Sequence, residues 1–355
     1  MTQGSATTHR VTLDVLVPGW LTTIQDLGRR GSERLGVATG GAADQYSAQV
    51  ANLLVGNERT APLLEIMGAE FSVQVSAGVL FSVTGTPASV LVDDFPVDLW
   101  RPVFAAAGSV ITVATPQDGL RSYLAFNGAL ESGRFLGSVA PDSRMGFPQQ
   151  LRAGDSVGLD TEYTVFVQPY GVGTWFSLPV PVPDLSAPVW TIDVTDGPET
   201  SAVDGIRELM ASSTYTVGDK SDHIGVRLGG PVRHPQGLGE IVSHGVPIGA
   251  VEIPHSDELI ILGRARSLTA GYPIVGVASS AALSLLGQAA PGRKITFRWI
   301  DPGESIALYR EQRRWLRLLE ARVHSAFEAA GLPVRGVRRS ARPGGAAPGA
   351  RAKSA

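Results

Sequence analysis

The chain of 355 residues contains no cysteine. That absence excludes disulfide bonds, zinc sites with cysteine ligands and thiol nucleophiles, and it is compatible with a reducing cytosol. Long hydrophobic runs are also missing, since no apolar run reaches the roughly 18 residues that a membrane span needs. The N-terminal segment MTQGSATTHR has no apolar core of signal-peptide length. The sequence therefore predicts a cytoplasmic protein without a membrane partner.

Several common catalytic motifs are absent too. The sequence has no G-x-x-x-x-G-K-[ST] loop, no H-E-x-x-H pair, no G-x-S-x-G elbow and no G-x-G-x-x-G turn. A P-loop ATP site within this chain is therefore not expected. The net charge of −3 gives no reason to expect a nucleic-acid partner.

Four of the six histidines fall about ten residues apart, a spacing that could gather them on neighbouring strands. Strand pairing can equally scatter such residues to both faces of a sheet. No carboxylate pattern accompanies them to orient them as ligands, so no metal site is predicted. The four are His223, His234, His244 and His255.

What the chain has in abundance is glycine and proline, 42 and 24 residues respectively. Between these turn residues lie short runs rich in Val, Ile, Leu, Phe and Thr, such as GVLFSVTG, SVITVAT and TVFVQP. Runs of this length and composition at turn-like spacing are typical of strands. The sequence predicts a mainly β fold with few helices.

Two segments break the β pattern. Residues 43–55 place apolar side chains on one helical face and end before Gly56, which predicts a helix. Farther along, Trp315, Leu319, Val323 and Phe327 recur every four residues, which predicts an amphipathic helix.

Composition divides the chain into successive parts. Four prolines in SLPVPVPDLSAPVW, residues 177–190, mark a connector between two β-rich regions. The C-terminal segment has six basic residues and no acidic ones, which is typical of a disordered tail. The predicted parts are a disordered leader (1–10), an N-terminal β domain (11–185), a C-terminal β domain (190–302), the amphipathic helix (303–330) and a disordered basic tail (335–355).

The stretch TTIQDLGRRG, Thr22 to Gly31, concentrates polar chemistry directly after an apolar run. One interpretation is a rigid turn, in which Asp26 accepts backbone N–H bonds and Arg29 pairs with it. The other is a site, in which Gln25, Asp26 and Arg29 supply an amide, a carboxylate and a guanidinium. The stretch alone leaves both open.

Its neighbours add a resemblance. VPGWLTTIQDLGRRG is followed by GVATGGAADQYSAQVANLLVGN and then by LLEI. This ordered set resembles the allophanate hydrolase subunit 2 family, also called KipA-like, biotin-dependent carboxyltransferase or the family of the C-type subunit of 5-oxoprolinase. The likeness is dense over residues 18–66 and weaker in RSYLAFNGAL (121–130), SDHIGVRLGGP (221–231), GVPIGAVEIP (245–254) and LGQAAPGRKITF (286–297).

The resemblance implies two linked cyclophilin-like β-barrel domains and an activity shared with other chains. The first implied function is the C-type component of an ATP-dependent 5-oxoprolinase-like amidohydrolase, which opens 5-oxoproline to glutamate. Its partners would be a subunit 1 or KipI-like protein (the B-type component of 5-oxoprolinase) and an A-type component, with ATP bound by the complex. The alternatives are a biotin-dependent carboxyltransferase acting on urea or a related amide, and a non-catalytic KipA-like binding protein.

Each of these reactions polarises an amide, lactam or urea carbonyl, which requires hydrogen-bond donors near the oxygen and a base. The resemblance places the candidate site between the two barrels. The catalytic candidates are Gln25, Asp26, Arg29 and Glu65, and the substrate-binding candidates are Asp44, Asn52, Asn57, Arg227, Glu252, Arg266 and Tyr272.

Some of these candidates have a structural alternative. Asp44 is a suitable helix N-cap, and Asn52 and Asn57 can serve as helix and helix-end residues. Glu65 lies among apolar neighbours, where a charge is costly unless it is paired. Arg29 is the partner that we expect for it.

The second half departs from the usual family pattern. Val139 and His223 stand where the family has arginines, Glu252 replaces a glutamine, and Ala265 and Ser267 replace an aspartate and a glutamine. Loss of guanidiniums weakens a site that binds a small anion. The departures predict either a different substrate or a non-catalytic role.

Overall fold

In the computed structural model, residues 8–147, 150–163, 176–235 and 241–330 are described. The predicted basic tail and residues 1–7 of the predicted leader lie outside these ranges. His9 and Arg10, assigned to the leader from sequence, belong instead to the first strand. Arg10 donates to Asp160 at 3.0 Å and pairs with Glu131, which explains why the strand begins this early.

In the described part of the chain, the first region is built from thirteen strands. Alternating apolar residues point into one core, which includes Leu13, Val73, Phe81 and Phe126. The strands are β1 (His9–Pro18), β2 (Leu21–Gln25), β3 (Leu63–Met67), β4 (Phe71–Val75), β5 (Val79–Gly85), β6 (Val90–Val92), β7 (Phe95–Val97), β8 (Val103–Ala105), β9 (Val110–Val113), β10 (Arg121–Phe126), β11 (Ala129–Leu130), β12 (Gln150–Leu151) and β13 (Ser156–Thr161).

These strands form two sheets that share the core. One sheet has seven strands in the order β11-β13-β1-β4-β9-β6-β7, and the other has six in the order β12-β2-β3-β10-β5-β8. All of the pairings within the two sheets are antiparallel. Strand β2 pairs with β3, with Thr23 opposite Glu65, so the strand that leads into TTIQDLGRRG is anchored inside the six-stranded sheet.

Helix α1 (Gln45–Leu54) confirms the helix predicted over 43–55. The carboxylate of Asp44 caps it by accepting from the Ser47 N–H at 3.0 Å. Nine of its ten residues are buried because the helix contacts β5 and β10 of the six-stranded sheet and also two later helices. This burial holds the helix N-terminus beside the loop that follows β2.

The second region closes into a barrel of seven strands in the order β14-β21-β18-β19-β16-β15-β22. Strands β14 and β22 pair in parallel, with Trp190 opposite Ile295. The elements are β14 (Val189–Thr195), α2 (Ile206–Ser212), β15 (Tyr215–Val217), β16 (Gly225–Gly229), β17 (His244–Gly245), β18 (Ala250–Glu252), β19 (Leu259–Leu262), β20 (Thr269–Ala270), β21 (Ile274–Ala278), α3 (Ala282–Leu286) and β22 (Lys294–Trp299), with β17 and β20 as a separate ribbon.

Helix α4 (Pro302–Ala329) is the predicted C-terminal amphipathic helix. Asp301 caps it by accepting from the N–H groups of Gly303 and Glu304. Its buried stripe is Leu316, Leu319, Val323 and Phe327. The sequence assigned Trp315 to this stripe, but Trp315 is only half-buried and Leu316 takes its place. The helix returns to the first region and packs on α1.

The predicted mainly β fold, with few helices and a C-terminal amphipathic helix, is confirmed. The second region is a closed barrel, whereas the strands of the first region are divided between two sheets over one core. Within the described ranges, no helix has the length and apolar character required to cross a membrane.

The two regions meet where α3 faces the start of α1. Ser284 accepts from the Tyr46 N–H at 3.1 Å, and Arg293 donates to the Asp118 carbonyl at 2.8 Å. A Cβ added to Gly287 would lie only 2.5 Å from the Ala43 carbonyl carbon, so the two backbones touch. This junction places the second barrel beside the loop that follows β2.

Candidate functional site

The carboxylate of Asp26 is fully engaged by its own chain. One oxygen accepts from the Gly28 N–H at 2.8 Å and from the Ser138 hydroxyl at 2.6 Å. The other accepts from the Val139 N–H at 3.0 Å. The residue is buried, and its bonds fasten the loop after β2 to the segment 138–140.

Arg29 fastens the same two segments. Its guanidinium donates to the Phe135 carbonyl at 3.3 Å and to the Ala140 carbonyl, and it lies 5.2 Å from the centre of the Phe135 ring. Burial lowers the pKa of Arg29, and the nearby charges of Asp142 and Asp26 oppose that shift. The direct Asp26–Arg29 pair expected from sequence is replaced by bonds from both residues to residues 135–140, because that segment packs against the loop.

The loop approaches the second region through its glycines. Gly28 has φ of +86°, and a Cβ there would lie 2.5 Å from the Gly40 carbonyl oxygen, so only glycine fits. Gly40 in turn donates its N–H to the Arg264 carbonyl at 3.0 Å. The rigid turn interpretation of TTIQDLGRRG therefore holds, and the turn is held directly against the second barrel.

Glu65 has a different partner from the one that the sequence suggested. One of its oxygens accepts from the Ala43 N–H and from the Tyr123 hydroxyl, each at 2.8 Å. The other lies 3.6 Å from Nε of Arg121. The predicted Glu65–Arg29 pair is wrong, because β3 pairs with β10 and so places Arg121 and Tyr123 beside Glu65.

Tyr123 connects two acidic residues at the junction. Its hydroxyl donates to Glu65 and accepts from the Asp44 N–H at 2.8 Å. Burial raises the pKa of Tyr123 well above its usual value, and the charges of Glu65 and Asp44 add to the increase. The phenol is therefore held protonated at neutral pH.

Asp44 has two roles at once. Besides capping α1, its carboxylate accepts from the side-chain amide of Gln288 at 2.9 Å, which bridges the two regions. Gln288 also accepts from the Arg121 N–H at 2.9 Å. Burial raises the pKa of Asp44, while its bonds to Ser47 and Gln288 oppose the shift.

The two asparagine candidates are used by the chain itself. Asn57 donates to the Phe126 carbonyl at 2.7 Å and accepts from the Gly128 N–H at 2.9 Å. Asn52 donates to the Ala61 carbonyl at 2.8 Å and accepts from Asn57 at 3.2 Å. Their structural interpretation, as helix and helix-end residues, accounts for these bonds.

Gln25 is buried and only partly satisfied. Its amide nitrogen donates to the Thr23 hydroxyl at 3.1 Å, but its carbonyl oxygen Oε1 has no hydrogen-bond partner among the described residues. A buried amide oxygen without a partner costs free energy, so Gln25 has unused capacity to accept a hydrogen bond.

Across the junction, Arg264 and Arg266 carry guanidinium nitrogens that no described residue satisfies. Arg266 is buried and donates Nε to the Val246 carbonyl at 2.8 Å, but its Nη1 has no partner in the described ranges, and neither does Nε of Arg264. Burial lowers the pKa of Arg264 to about 10; the charges of Arg30 and Arg266 add to the lowering, while that of Asp44 opposes it. The Arg264 carbonyl accepts from the Gly40 N–H of the first region, so Arg264 lies at the junction.

The other second-region candidates interact within that region. Arg227 pairs with Glu258, and the Tyr272 and His255 rings meet edge-on at 5.4 Å. Glu252 is buried with Oε1 unpartnered among the described residues. Burial raises the pKa of Glu252 to about 7, and His244 opposes the shift. No hydrogen bond or ion pair within the described ranges joins these three candidates to Asp26 or Arg29.

The departures from the family pattern have identifiable surroundings at two positions. Val139 contributes only its backbone N–H to Asp26, a bond that does not depend on the side chain. Ser267 accepts from Arg144 of the first region at 3.3 Å. The Val139 side chain lies in the hydrophobic core of the first region, and Ser267 lies at the contact between the two regions. Neither substitution removes the Asp26 bond.

Four residues of the site were missed from the sequence: Arg121, Tyr123, Arg264 and Gln288. Two of them lie in RSYLAFNGAL and one in LGQAAPGRKITF, segments whose resemblance was noted without a site role. Arg264 lies two residues before Arg266, and no local pattern distinguishes it. Their common feature is a set of partners far away in sequence.

No group of three or more His, Asp or Glu side chains is arranged to hold a metal ion within the described part of the chain. His234 lies 3.3 Å from a carboxylate oxygen of Asp257, a single contact at the surface. The polar groups that line the junction are guanidiniums, carboxylates, amides and a phenol.

Comparison with known sequences gives two matching results. Residues 35–299 match the model of the family described as carboxyltransferase domain, subdomain A and B. The Escherichia coli protein named as the C-type subunit of 5-oxoprolinase is 28% identical over 320 residues, which cover 88% of this chain and 99% of that protein.

Solved structures show the same relationship. The urea amidolyase of K. lactis superposes with a TM-score of 0.77 at 27% identity, covering 87% of this chain and 20% of that one. The structure of the protein called TTHA0988 superposes with a TM-score of 0.69 at 29% identity, covering 81% of this chain. This chain thus spans 56% of TTHA0988 and a fifth of the amidolyase.

Proposed function

This chain belongs to the family of carboxyltransferase domains, subdomain A and B, and from that membership we propose that it is the C-type subunit of an ATP-dependent 5-oxoprolinase-like amidohydrolase. The proposed reaction opens the lactam of 5-oxoproline to glutamate. The relative of matching length, the C-type subunit of 5-oxoprolinase from Escherichia coli, supports this proposal. Its name implies further subunits, and we propose a KipI-like B-type component and an A-type component as partners.

The observation that carries the proposal is that Arg264 and Arg266, at the junction, each have a buried guanidinium nitrogen without a partner among the described residues. Buried Arg nitrogens without acceptors are costly, so a site that retains them is suited to an anion. The carboxylate of 5-oxoproline has the required charge and two acceptor oxygens. Arg264 and Arg266 would hold it between the two regions.

The facing network supplies a proton relay and an acceptor for the lactam. The Tyr123 phenol donates its single proton to Glu65. In this proposal Tyr123 passes that proton to Glu65 as it takes one up from the reacting amide, and the reverse transfer returns it, while the Gln25 oxygen, which has no partner among the described residues, orients the lactam N–H. Asp26 and Arg29 act as positioning residues, because their polar atoms hold the loop.

ATP is proposed for the complex and not for this chain. Guanidinium donors fit phosphate as well as carboxylate, so Arg264 and Arg266 would also hold an anionic phosphate group presented by a partner protein. ATP supplies the free energy that lactam opening requires. The chain's own part is to bind, orient and shield the reacting amide.

A biotin-dependent carboxyltransferase acting on urea or a related amide is the second candidate. The superposition with K. lactis urea amidolyase favours it. The same guanidinium nitrogens fit the carboxylate of a carboxylated carrier, so the geometry of this chain suits both reactions. A biotin carboxylase and a biotin carrier would be needed as partners.

The test is to purify the full chain with its partner proteins and assay ATP-dependent opening of 5-oxoproline. We expect Arg264→Gln and Arg266→Gln to lower kcat/KM by about a hundredfold each, because each removes charged contacts to the substrate. Arg152→Gln is the matched control, since Arg152 is exposed and forms no ion pair within the described ranges.

Three outcomes of this assay distinguish between the candidate functions. Full activity of both variants would reject the assigned site. Biotin-dependent carboxylation of urea without 5-oxoproline turnover would select the carboxyltransferase. Stable complex formation with no turnover of either substrate would select the KipA-like binding role and agree with the departures at His223 and Ala265.

A further inference from the structure

A second concave site lies on the first region, next to the junction. The groove has a volume of about 690 Å³ and is lined by the loop after β2, Gln49 of α1, the segment 57–62, four residues of the segment 128–137 and one residue of α4. Its lining includes no described residue of the second barrel. The volume falls in the range of about 300–1,000 Å³ that is usual for small-molecule sites.

Four arginines from four separate segments line this groove: Arg30, Arg59, Arg134 and Arg313. Arg30 forms no hydrogen bond or ion pair within the described part of the chain. Arg134 donates to the Gly137 carbonyl at 3.0 Å, and Arg313 lies 6.0 Å from the centre of the Tyr309 ring. Their convergence is a tertiary feature, since the four positions span nearly the whole described sequence.

The positive charge of the groove is not balanced by its lining. Arg59 lies 3.4 Å from Glu320, but its Nη1 is buried without a partner among the described residues. The acidic residues of the lining are Asp26 and Glu58. Both oxygens of Asp26 are already occupied by the protein, and Glu58 is exposed to solvent.

We propose that this groove binds a small molecule carrying one or more phosphate groups. Several guanidiniums around one cavity match the charge and the multiple acceptor oxygens of phosphate. The proposal goes beyond the reaction at the junction, because it concerns different arginines and a different ligand position. The ligand class covers free phosphate, pyrophosphate and the diphosphate of a nucleotide.

The groove shares one wall with the loop that borders the junction. Asp26, Leu27 and Gly28 line it, and Gln45 of α1 donates to the Leu27 carbonyl at 3.1 Å. A ligand there contacts the loop on a surface that the second barrel does not line, and the same loop reaches Arg264 through Gly40. Occupancy of the groove would therefore stabilise the loop that faces the proposed reaction site.

The experiment is calorimetric titration of the full chain alone with inorganic phosphate, pyrophosphate and a nucleoside diphosphate, at constant ionic strength. We expect saturable one-to-one binding of pyrophosphate or the nucleoside diphosphate. Stronger binding of the nucleoside diphosphate than of pyrophosphate identifies a nucleotide as the source of the phosphate, and equal binding identifies the phosphate groups alone. Absence of saturable binding by all three would overturn the proposal.

The variants locate the binding. Arg313→Gln should weaken binding about tenfold and Arg59→Gln/Arg313→Gln about a hundredfold, as expected for loss of one and two charged contacts. Arg314→Gln is the control, because Arg314 is exposed on the same helix and does not line the groove. If Arg313→Gln, a surface substitution, binds as tightly as the unaltered chain, the groove is not the site.

Two further comparisons keep the result separate from the proposed reaction. Arg264→Gln should retain the affinity for pyrophosphate, because Arg264 does not line the groove. Loss of pyrophosphate binding in that variant would place the anion at the junction and overturn the proposal. Equal affinity for citrate and pyrophosphate would overturn the assignment of phosphate as the ligand class.

Discussion

The loop after β2 in the first region and the facing barrel of the second region differ in whether their buried charged groups have hydrogen-bond partners. In the loop, Asp26 and Arg29 are bonded to neighbouring segments of the chain. In the barrel, Glu252, Arg264 and Arg266 each carry a buried charged-group atom with no partner among the described residues. Removing the partner of a buried charge destabilises a fold, and a buried charge without a partner is costly to retain. The loop that matches the family motif is thus mainly a support, and the facing barrel holds the unused binding capacity.

The largest effect on stability should come from removing the Asp26 carboxylate, which holds the loop after β2 in place. Asp26→Ala should lower the free energy of unfolding by about 4 kcal/mol, because three donors lose their acceptor and each buried unsatisfied donor costs about 1–3 kcal/mol. Urea denaturation measures the change. Asp219→Ala, at an exposed residue without a bond in the described ranges, should change it by less than about 0.5 kcal/mol. A loss below about 1 kcal/mol for Asp26→Ala would show that the loop does not depend on this carboxylate.

The next largest effect is the pH dependence that Glu252 contributes to the free energy of unfolding. Its folded-state pKa is about 7, above the ordinary value of 4.5, so the folded protein binds the extra proton and stability falls as pH rises between these values. Glu252→Gln should remove that fall and make the variant more stable above pH 7, by up to about 3 kcal/mol.

The measurement for Glu252 is the urea midpoint of both proteins from pH 4 to pH 9. The difference should vanish near pH 4, where the carboxyl is protonated in both states. Glu70→Gln, at an exposed position, provides the control and should follow the unaltered chain. A difference that is independent of pH would mean that Glu252 does not titrate as described.

A smaller effect should follow from separating the two regions. Gly287→Ala places a Cβ 2.5 Å from the Ala43 backbone, far inside van der Waals contact, and should cost about 2 kcal/mol. Its φ of −62° suits alanine, so the cost is steric. Gly245→Ala has no atom within 4 Å of the added Cβ and should be nearly neutral. Equal stability of the two variants, measured by thermal unfolding, would contradict the close contact.

The smallest predicted effect has the opposite sign. Arg264→Gln should raise the free energy of unfolding by about 1 kcal/mol, because it removes a partly buried charge that has no acceptor among the described residues. Arg29→Gln, the matched substitution in the first region, should lower it, because the bonds to Phe135 and Ala140 are lost. Urea denaturation of both variants is the measurement. Destabilisation by both to the same extent would remove the distinction between supporting and binding arginines.

The predictions that succeeded depend on residues that lie close together in the sequence. Helix α1 was predictable because its cap Asp44 and the stop at Gly56 lie within one short segment. Helix α4 was predictable from its repeat of apolar residues, although the repeat selected Trp315 and the core contains Leu316. A shift of one residue moves a side chain by about 100° around the helix, and only the packing against α1 decides which one is buried.

The site was less predictable because its parts come from distant segments. Glu65 required a buried partner, and from the sequence we expected Arg29. The antiparallel pairing of β3 with β10, with Tyr123 opposite Glu65, places Arg121 there instead. Arg264 gave no local signal, since its position at the junction depends on the contact between the two regions.

Residue types and spacings were sufficient to predict the family, the mainly β class and both long helices, whereas they left the turn and the site interpretations of TTIQDLGRRG both open. The secondary structure was predictable because it depends on interactions that act over a few neighbours. The division between bonded and unbonded charges needed the folded chain, because a hydrogen bond between residues such as Asp44 and Gln288 depends on how the two regions pack. That packing makes the loop a support and leaves Arg264 and Arg266 available to a ligand.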